Sequence, residues 1–328
     1  MTASRATLAT VAALAIGAVC LGKAGTPALA QSYPARVIKI VLPFTPGSPN
    51  DVMARLLTQH LQPRLGQALV IENKPGGGTT IGSKAVATAE PDGYTLLFIS
   101  SALVIDPALN KKLDYDPRKD FAPIASINTT SWVLAIHPSL PAKNVAEFVA
   151  YTKANPSKVS FGFAQGTASQ LVGERFKQLT GADILSVPYK GGAAAMPDFL
   201  GGRIQMLLPT PATTLPLIRE GKLRAIAITS AARSPDLPDV PTMIEAKLPS
   251  LTLDFWAGIL APAGTPAEII DKLNAAINDA LRSPEMKESM KRLGFDAKIG
   301  SPQDFSTFIA EELPRWAEIV KSTGAKAN

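Results

Sequence analysis

The sequence predicts an α/β protein built on parallel sheets, and a thrice-repeated pattern carries that prediction. A short β-branched or apolar run, a loop rich in Gly, Pro, Ser or Thr, and a helical pattern follow one another at 37–65, 159–179 and 184–200. Such units lay helices across a parallel sheet and gather the carboxyl ends of the strands at one crevice. Function is expected in that crevice.

The first residues read as an address. Arg5, an uncharged apolar run from Leu8 to Leu21 and the small-residue site Ala28-Leu29-Ala30 form a secretory signal pattern cleaved after Ala30. Gly22, Lys23 and Gly25 close the run too early for an uncleaved anchor. Cys20 raises a lipoprotein alternative, but Val19 is bulky and Gly17 stands where leucine is usual, so that motif is poor. Cleavage leaves 298 of 328 residues and no cysteine, enough for two domains whose cores need no disulfides. Loss of Arg5 and Lys23 lowers the net charge from +6 to +4, with no basic stripe of the kind nucleic acid requires. No later segment approaches a membrane span, so a soluble periplasmic chain is expected.

Along the mature chain, Val37, Ile38, Ile40, Val41 and Leu42 make a buried strand that Pro43, Pro46, Gly47 and Pro49 stop. Asn50 or Asp51 can cap the next helix, with Val52, Leu56, Leu57, Leu61 and Leu65 as its apolar face. The loop Thr45 to Asp51, with Gly47 and Ser48, thus presents free N–H groups at the positive end of a helix, a place for a carboxylate. A strand at 68–72 leads into the glycine-rich turn 73–82. Gly76 and Gly78 start a G-x-G there, but the sixth position is Ile81 and no P-loop lysine follows, so these glycines turn the chain. Next come a helix at 83–89, a strand at 94–99 and a second polar loop, Ser100-Ser101. Asp114, Asp116 and Asp120 lack the donor alternation of a calcium loop and read as turns and caps.

A strand at 132–137 and a helix at 145–154 precede the second unit, whose loop holds Gly166, Thr167, Ala168 and Ser169. The third unit ends its strand at Tyr189 and turns through Lys190, Gly191 and Gly192. Strands at 204–208 and 223–229, a proline-rich loop at 234–241, a strand at 253–260 carrying Trp256, helices at 267–282 and 284–293 and a final helix around Trp316 complete the chain. Enzymatic chemistry is poorly supplied. Only His60 and His137 are present, no G-x-S-x-G elbow occurs, and no carboxylate pair stands beside the loops, so no catalytic residue, metal or cofactor is expected.

Several stretches together resemble a known family. They are Pro43 to Gly47 with Asp51 and Ala54-Arg55, Glu72 to Gly76, Pro91 to Leu96, Val187 to Gly191, Leu237 to Thr242, and Trp256 with Ala261 to Pro266. The chain is similar to the periplasmic solute-binding proteins of tripartite tricarboxylate transporters, the Bug or TctC-like receptors. The resemblance implies a two-lobed periplasmic-binding-protein fold, each lobe a mostly parallel sheet flanked by helices, that closes on its ligand. Residues 31–127 and 251–328 would form one lobe and 128–250 the other. It also implies a small carboxylate gripped, partly through water, between Thr45–Asp51 and the facing loops Gly166–Ser169 and Tyr189–Gly192. A monomer would then deliver the ligand to membrane permease subunits.

Two departures from the family pattern bear on the ligand. Ser48 replaces a usual glycine and places a hydroxyl at the anion loop. Where many members carry aspartates, Gln205 and Pro209 offer no negative charge to an ammonium, which favours a non-amino mono- or dicarboxylate, an aromatic one being a candidate. Each site residue has a structural alternative: capping or loop ordering for Ser48, Asp51, Thr167 and Ser169, lobe packing for Tyr189, a solvated surface position for Lys190. Trp256 reads as hinge or core. A receptor presenting its ligand to a sensor kinase would use the same cleft, and an exported carboxylate enzyme is the rival class.

Overall fold

A computed structural model describes residues 33–110, 113–164, 167–189 and 192–324; the signal segment with its cleavage site after Ala30, and Gly166, Lys190 and Gly191, lie outside the described residues. In chain order the elements are β1 (Ile38–Leu42), α1 (Pro49–Leu65), β2 (Leu69–Asn73), α2 (Thr80–Ala87), β3 (Thr95–Ser100), α3 (Ala102–Leu109) and β4 (Phe121–Ser131). Then come β5 (Val133–Ile136), α4 (Val145–Ala154), β6 (Ser160–Ala164), α5 (Ala168–Thr180), β7 (Leu185–Tyr189), α6 (Gly192–Leu200), β8 (Met206–Leu207), α7 (Pro211–Arg219) and β9 (Arg224–Ile228). The chain closes with β10 (Asp254–Pro262), α8 (Ala267–Arg282), α9 (Pro284–Arg292), β11 (Asp296–Ala297) and α10 (Pro302–Thr323).

The strands form two sheets, ordered β11-β4-β10-β3-β1-β2 and β7-β6-β8-β5-β9. β1 pairs in parallel with β2 and β3, and β6 with β7 and β8, whereas the strand neighbours of β4, β5, β9, β10 and β11 within the sheets are antiparallel. The expectation of mostly parallel sheets therefore holds for the strand-loop-helix units and not for the strands that join the two halves, giving mixed sheets. Only parallel neighbours need a helical crossover, and those crossovers supply the loops of the cleft.

Packing corrects two local readings. α1 buries Met53, Ala54, Leu57, Leu61 and Leu65, while Val52 is 39% exposed on the opposite side. Positions three and four apart share a helix face, so Met53 and not Val52 belongs with Leu57. The cap of α1 is Ser48, whose Oγ accepts the Asp51 N–H at 3.3 Å, with Pro49 in the first turn. Two elements unread in the sequence also appear. α3 is a short apolar helix directly after Ser101, and β4 is a long strand that carries Pro123 where the ladder to β10 slips register at Ile259/Leu260. A bulge tolerates the missing proline donor.

The chain leaves the first sheet after Ser131 and returns to it at Asp254, and the two passages are stitched together. The Trp132 N–H donates to Thr229 Oγ1 at 2.9 Å, the Thr229 N–H to the Trp132 carbonyl at 3.0 Å, and the Leu253 N–H to the Thr229 carbonyl at 3.1 Å. Thr229 is fully buried, so every polar atom there needs such a partner. Beside this seam Trp256 is core, fully buried with its ring edge-on to Phe305 and Phe308 at centroid distances of 5.5 and 5.6 Å. Its neighbour Gly258 leaves no room for a side chain. A Cβ there would lie 2.2 Å from the Phe305 ring and 2.9 Å from the Ala125 carbonyl oxygen. Gly258→Val is expected to destabilise the protein by about 3 kcal/mol, read as a lowered urea midpoint; an unchanged midpoint would show that β10 and α10 are loosely packed.

Candidate binding site

The two sheets share one large cavity of about 1190 Å³ whose walls come from both. Its geometry follows from the crossovers. α1 and α3 start where β1 and β3 end, and α5 and α7 start where β6 and β8 end. Residues at or just before the start of all four helices line the cavity: Thr45, Gly47 and Asn50 for α1, Ser101 and Ala102 for α3, Thr167 to Ser169 for α5, Thr210 and Thr213 for α7. α5 and α7 have no side-chain cap on their first-turn amides, and α3 has only a long bond from the Ala102 N–H to Ser100 Oγ at 3.4 Å. Each helix start carries partial positive charge, and four aimed at one space make it a site for an anion. Lys84 is the only lysine or arginine among the described lining residues, and its Nζ is already 2.7 Å from Asp114. Oriented amides and hydroxyls supply the positive potential here.

The loop after β1 is more self-contained than its sequence suggests. The Gly47 N–H donates to Asp51 Oδ2 at 3.0 Å, the Ser48 N–H to the Thr45 carbonyl at 3.2 Å, and the Asp51 N–H to Ser48. Prolines 43, 46 and 49 have no N–H, which leaves the amides of Phe44, Thr45 and Asn50 without a protein acceptor among the described residues. Asp51 is 3% exposed and does not line the cavity. It orders the loop instead, accepting Arg55 Nε at 2.9 Å and Asn73 Nδ2 at 2.9 Å besides Gly47. Burial alone would raise its pKa, but the Arg55, Gly47 and Asn73 hydrogen bonds outweigh it and hold the carboxyl at about 2. Ser48 is likewise absent from the cavity lining, with its Oγ accepting in the helix cap, so the expectation that it lines the anion site gives way to a capping role.

Of the other residues read from the sequence, Ser100 and Ser101 line the cavity, Ser101 at only 2% exposure. Thr167 and Ser169 face it with their hydroxyls 3.0 Å apart. Tyr189 does not line it; its hydroxyl donates to Asp198 Oδ2 at 2.8 Å and its ring packs in the core of the second sheet. Gly192 opens α6. Gln205 and Pro209 stay outside the cavity, where Gln205 accepts the Ser160 N–H and donates to the Gly202 carbonyl, and the Pro209 carbonyl accepts the Val133 N–H. Asp116 and Asp120 accept backbone N–H groups of their own turn.

Other lining residues escaped the sequence reading. Thr210 and Thr213 belong to a unit read only as strands around a short separator. Trp132 and Phe255, edge-on at 6.3 Å, form an aromatic wall beside the passages between sheets. Asp106 and Asp114 also reach the cavity, neither of them singled out in the sequence as a site residue. One signal for Asp106 was available: it is the single charge in the otherwise apolar run Ala102 to Leu109.

The model of the tripartite tricarboxylate transporter family receptor matches residues 53–325. The chain belongs to this family. Protein BugT of Bordetella pertussis is 39% identical over 318 residues, covering 95% of this chain and 98% of BugT. Among solved structures, the periplasmic binding protein BugD is 36% identical with a TM-score of 0.74, covering 90% of this chain and 99% of its own. An R. palustris protein solved with adipate is 33% identical with a TM-score of 0.76, covering 89% of this chain and 98% of its own. The receptor is thus a two-lobed α/β solute-binding protein of a periplasmic family. No helix among its described residues is long and apolar enough to cross a membrane.

Proposed function

We propose that this receptor is exported, loses its first 30 residues, and as a monomer captures a small non-amino organic carboxylate in the cleft. Residues 31–127 with 251–328 and residues 128–250 act as lobes that close on the ligand, which is then handed to the permease subunits of a tripartite tricarboxylate transporter. The observation that carries this reading is the convergence of four helix amino termini on one cavity whose lone lining cation among the described residues is already paired. Carboxylate oxygens accept hydrogen bonds from such amides without a buried counter-charge. The adipate held by the R. palustris relative is a ligand of this chemical type.

The test is a thermal-shift panel of mono-, di- and tricarboxylates, aliphatic and aromatic, on the mature chain. A ligand that binds only the native state at 100 times its Kd adds about 2.7 kcal/mol, a rise of several degrees in Tm. The matching carboxylate is expected to produce that rise and to be recovered unchanged; turnover would favour an enzyme. Uptake of the same acid should disappear when the gene is deleted, whereas intact uptake with a lost transcriptional response would point to a sensor kinase.

A further inference from the structure

We propose that α10 is a third connection between the lobes, jointed at Pro314, and that its last turns, residues 315–323, travel with the second lobe when the cleft closes. The inference rests on the closing of two lobes proposed above and adds a moving part outside the cleft. The first half of α10 belongs to the first sheet: Phe305 lies against Gly258, and Phe305 and Phe308 stand edge-on to Trp256. The second half packs on α5, a helix of the second lobe. Glu318 meets the Arg175 guanidinium at 3.3 Å, and the Ser322 carbonyl accepts the Gln178 side-chain amide. Trp316, Ile319 and Val320 are buried in one core with Val172 and Phe176 of α5. α5 in turn opens on the cavity through Thr167 to Ser169. One helix thus grips both lobes.

Pro314 sits where such a helix has to give. Its neighbour Arg315 donates to the Thr252 carbonyl and, at 3.2 Å, to Glu312, which also accepts the Trp316 indole N–H at 2.8 Å. Thr252 precedes Leu253, whose N–H is held by Thr229 in the seam between the lobes, so Pro314 is level with the two β passages. Proline has no N–H for the carbonyl four residues back, and its ring crowds that carbonyl, which removes a rung of the helix ladder. The freed carbonyl belongs to Ala310, an exposed position where water can take the missing donor's place. Bending at this rung therefore breaks no further intrahelical bond. The cavity of about 1190 Å³ exceeds the roughly 300–1,000 Å³ of ordinary small-molecule pockets, so the lobes stand open and must still turn to enclose a small acid. A turn of one lobe on the other strains any stiff rod fixed to both. The missing rung relieves that strain.

No cysteine follows Cys20, so spin labels can be placed on the mature receptor one pair at a time. Exposed Arg118 marks the first lobe, Lys158 the second and Lys321 the end of α10. Three proteins, each carrying two of Arg118→Cys, Lys158→Cys and Lys321→Cys with nitroxides attached, are measured by pulsed dipolar spectroscopy before and after the carboxylate panel is added as one mixture. The mixture is expected to shift the 118–158 and 118–321 distances and to leave the 158–321 distance unchanged. A shifted 158–321 distance with a constant 118–321 distance places all of α10 on the first lobe and overturns the joint. Pro314→Ala restores the missing N–H, so it is expected to raise the urea midpoint and yet weaken binding of the active acid about tenfold, because a stiffened helix opposes closing. A merely structural proline would change stability and leave affinity alone, and that result also overturns the proposal. If no acid moves the 118–158 distance or the melting temperature, the carboxylate reading fails by itself. The joint then rests on the ligand-free receptor, where the 118–321 distribution is expected to be broader than the 158–321 distribution; equal widths reject it.

Discussion

Gly47→Trp is expected to lower ligand affinity by at least about a hundredfold while leaving the receptor folded. Gly47 lines the cavity at a φ of +78°, and a Cβ built there meets nothing within 4 Å. An indole at this position therefore enters the space that the ligand needs, without striking protein atoms. The backbone cost is that of a left-handed L-residue, about 1–2 kcal/mol, which lowers Tm by roughly 5 °C in a chain of this size. Gly47→Ala carries the same backbone cost with almost no added bulk, so it separates strain from obstruction. Calorimetric titration with the acid found in the panel decides the matter. Wild-type affinity in Gly47→Trp would remove the α1 loop from the site.

Asp51→Asn is expected to destabilise the protein by about 2–3 kcal/mol and to weaken ligand binding about tenfold. The carboxylate accepts from Arg55, Asn73 and Gly47, tying the first turn of α1, the end of β2 and the binding loop to one buried point. An asparagine keeps a single acceptor oxygen and turns an amide group toward existing donors. Arg55 is half exposed and water relieves part of its loss, which places the cost below that of a fully buried pair. Acid should reproduce the effect in the wild type. A carboxyl held at about 2 against 3.8 in its ordinary state favours the folded form whenever it is ionised, so its contribution is complete above pH 4 and fades as pH falls through 2. That window is worth about 2 kcal/mol, visible as an excess acid destabilisation of wild type over Asp51→Asn in urea titrations from pH 7 down to pH 2. Parallel pH profiles for the two proteins would show that the ion pair is not formed in solution.

Local sequence patterns were sufficient wherever one element's own residues decide its form. β1, β6 and β7 are short apolar runs stopped by small residues, and α4, α5 and α8 carry apolar stripes at helical spacing; their positions in the chain match the expectation closely. β4 and α3 were harder because their signals conflict. β4 mixes Pro123, Asn128 and four threonine or serine positions into a strand held by β10 from the other end of the chain, and α3 is too short to show a period. Pairing across more than a hundred residues supplies what local propensity lacks.

The binding residues divide along the same line. By itself the sequence determined the export signal pattern, the family, the strand-loop-helix units and the loops at their strand ends. Those follow from composition, spacing and turn chemistry, which act over a few residues. Only the tertiary structure decided that four helix starts face one cavity, that Asp51 and Ser48 look inward to order their loop, and that Tyr189 serves its own lobe. It alone brought Asp106 to the wall. Which side of a helix or loop faces a cavity depends on how distant elements pack, and burial, which sets the charge and hydrogen-bonding needs of a group, does not exist until they do.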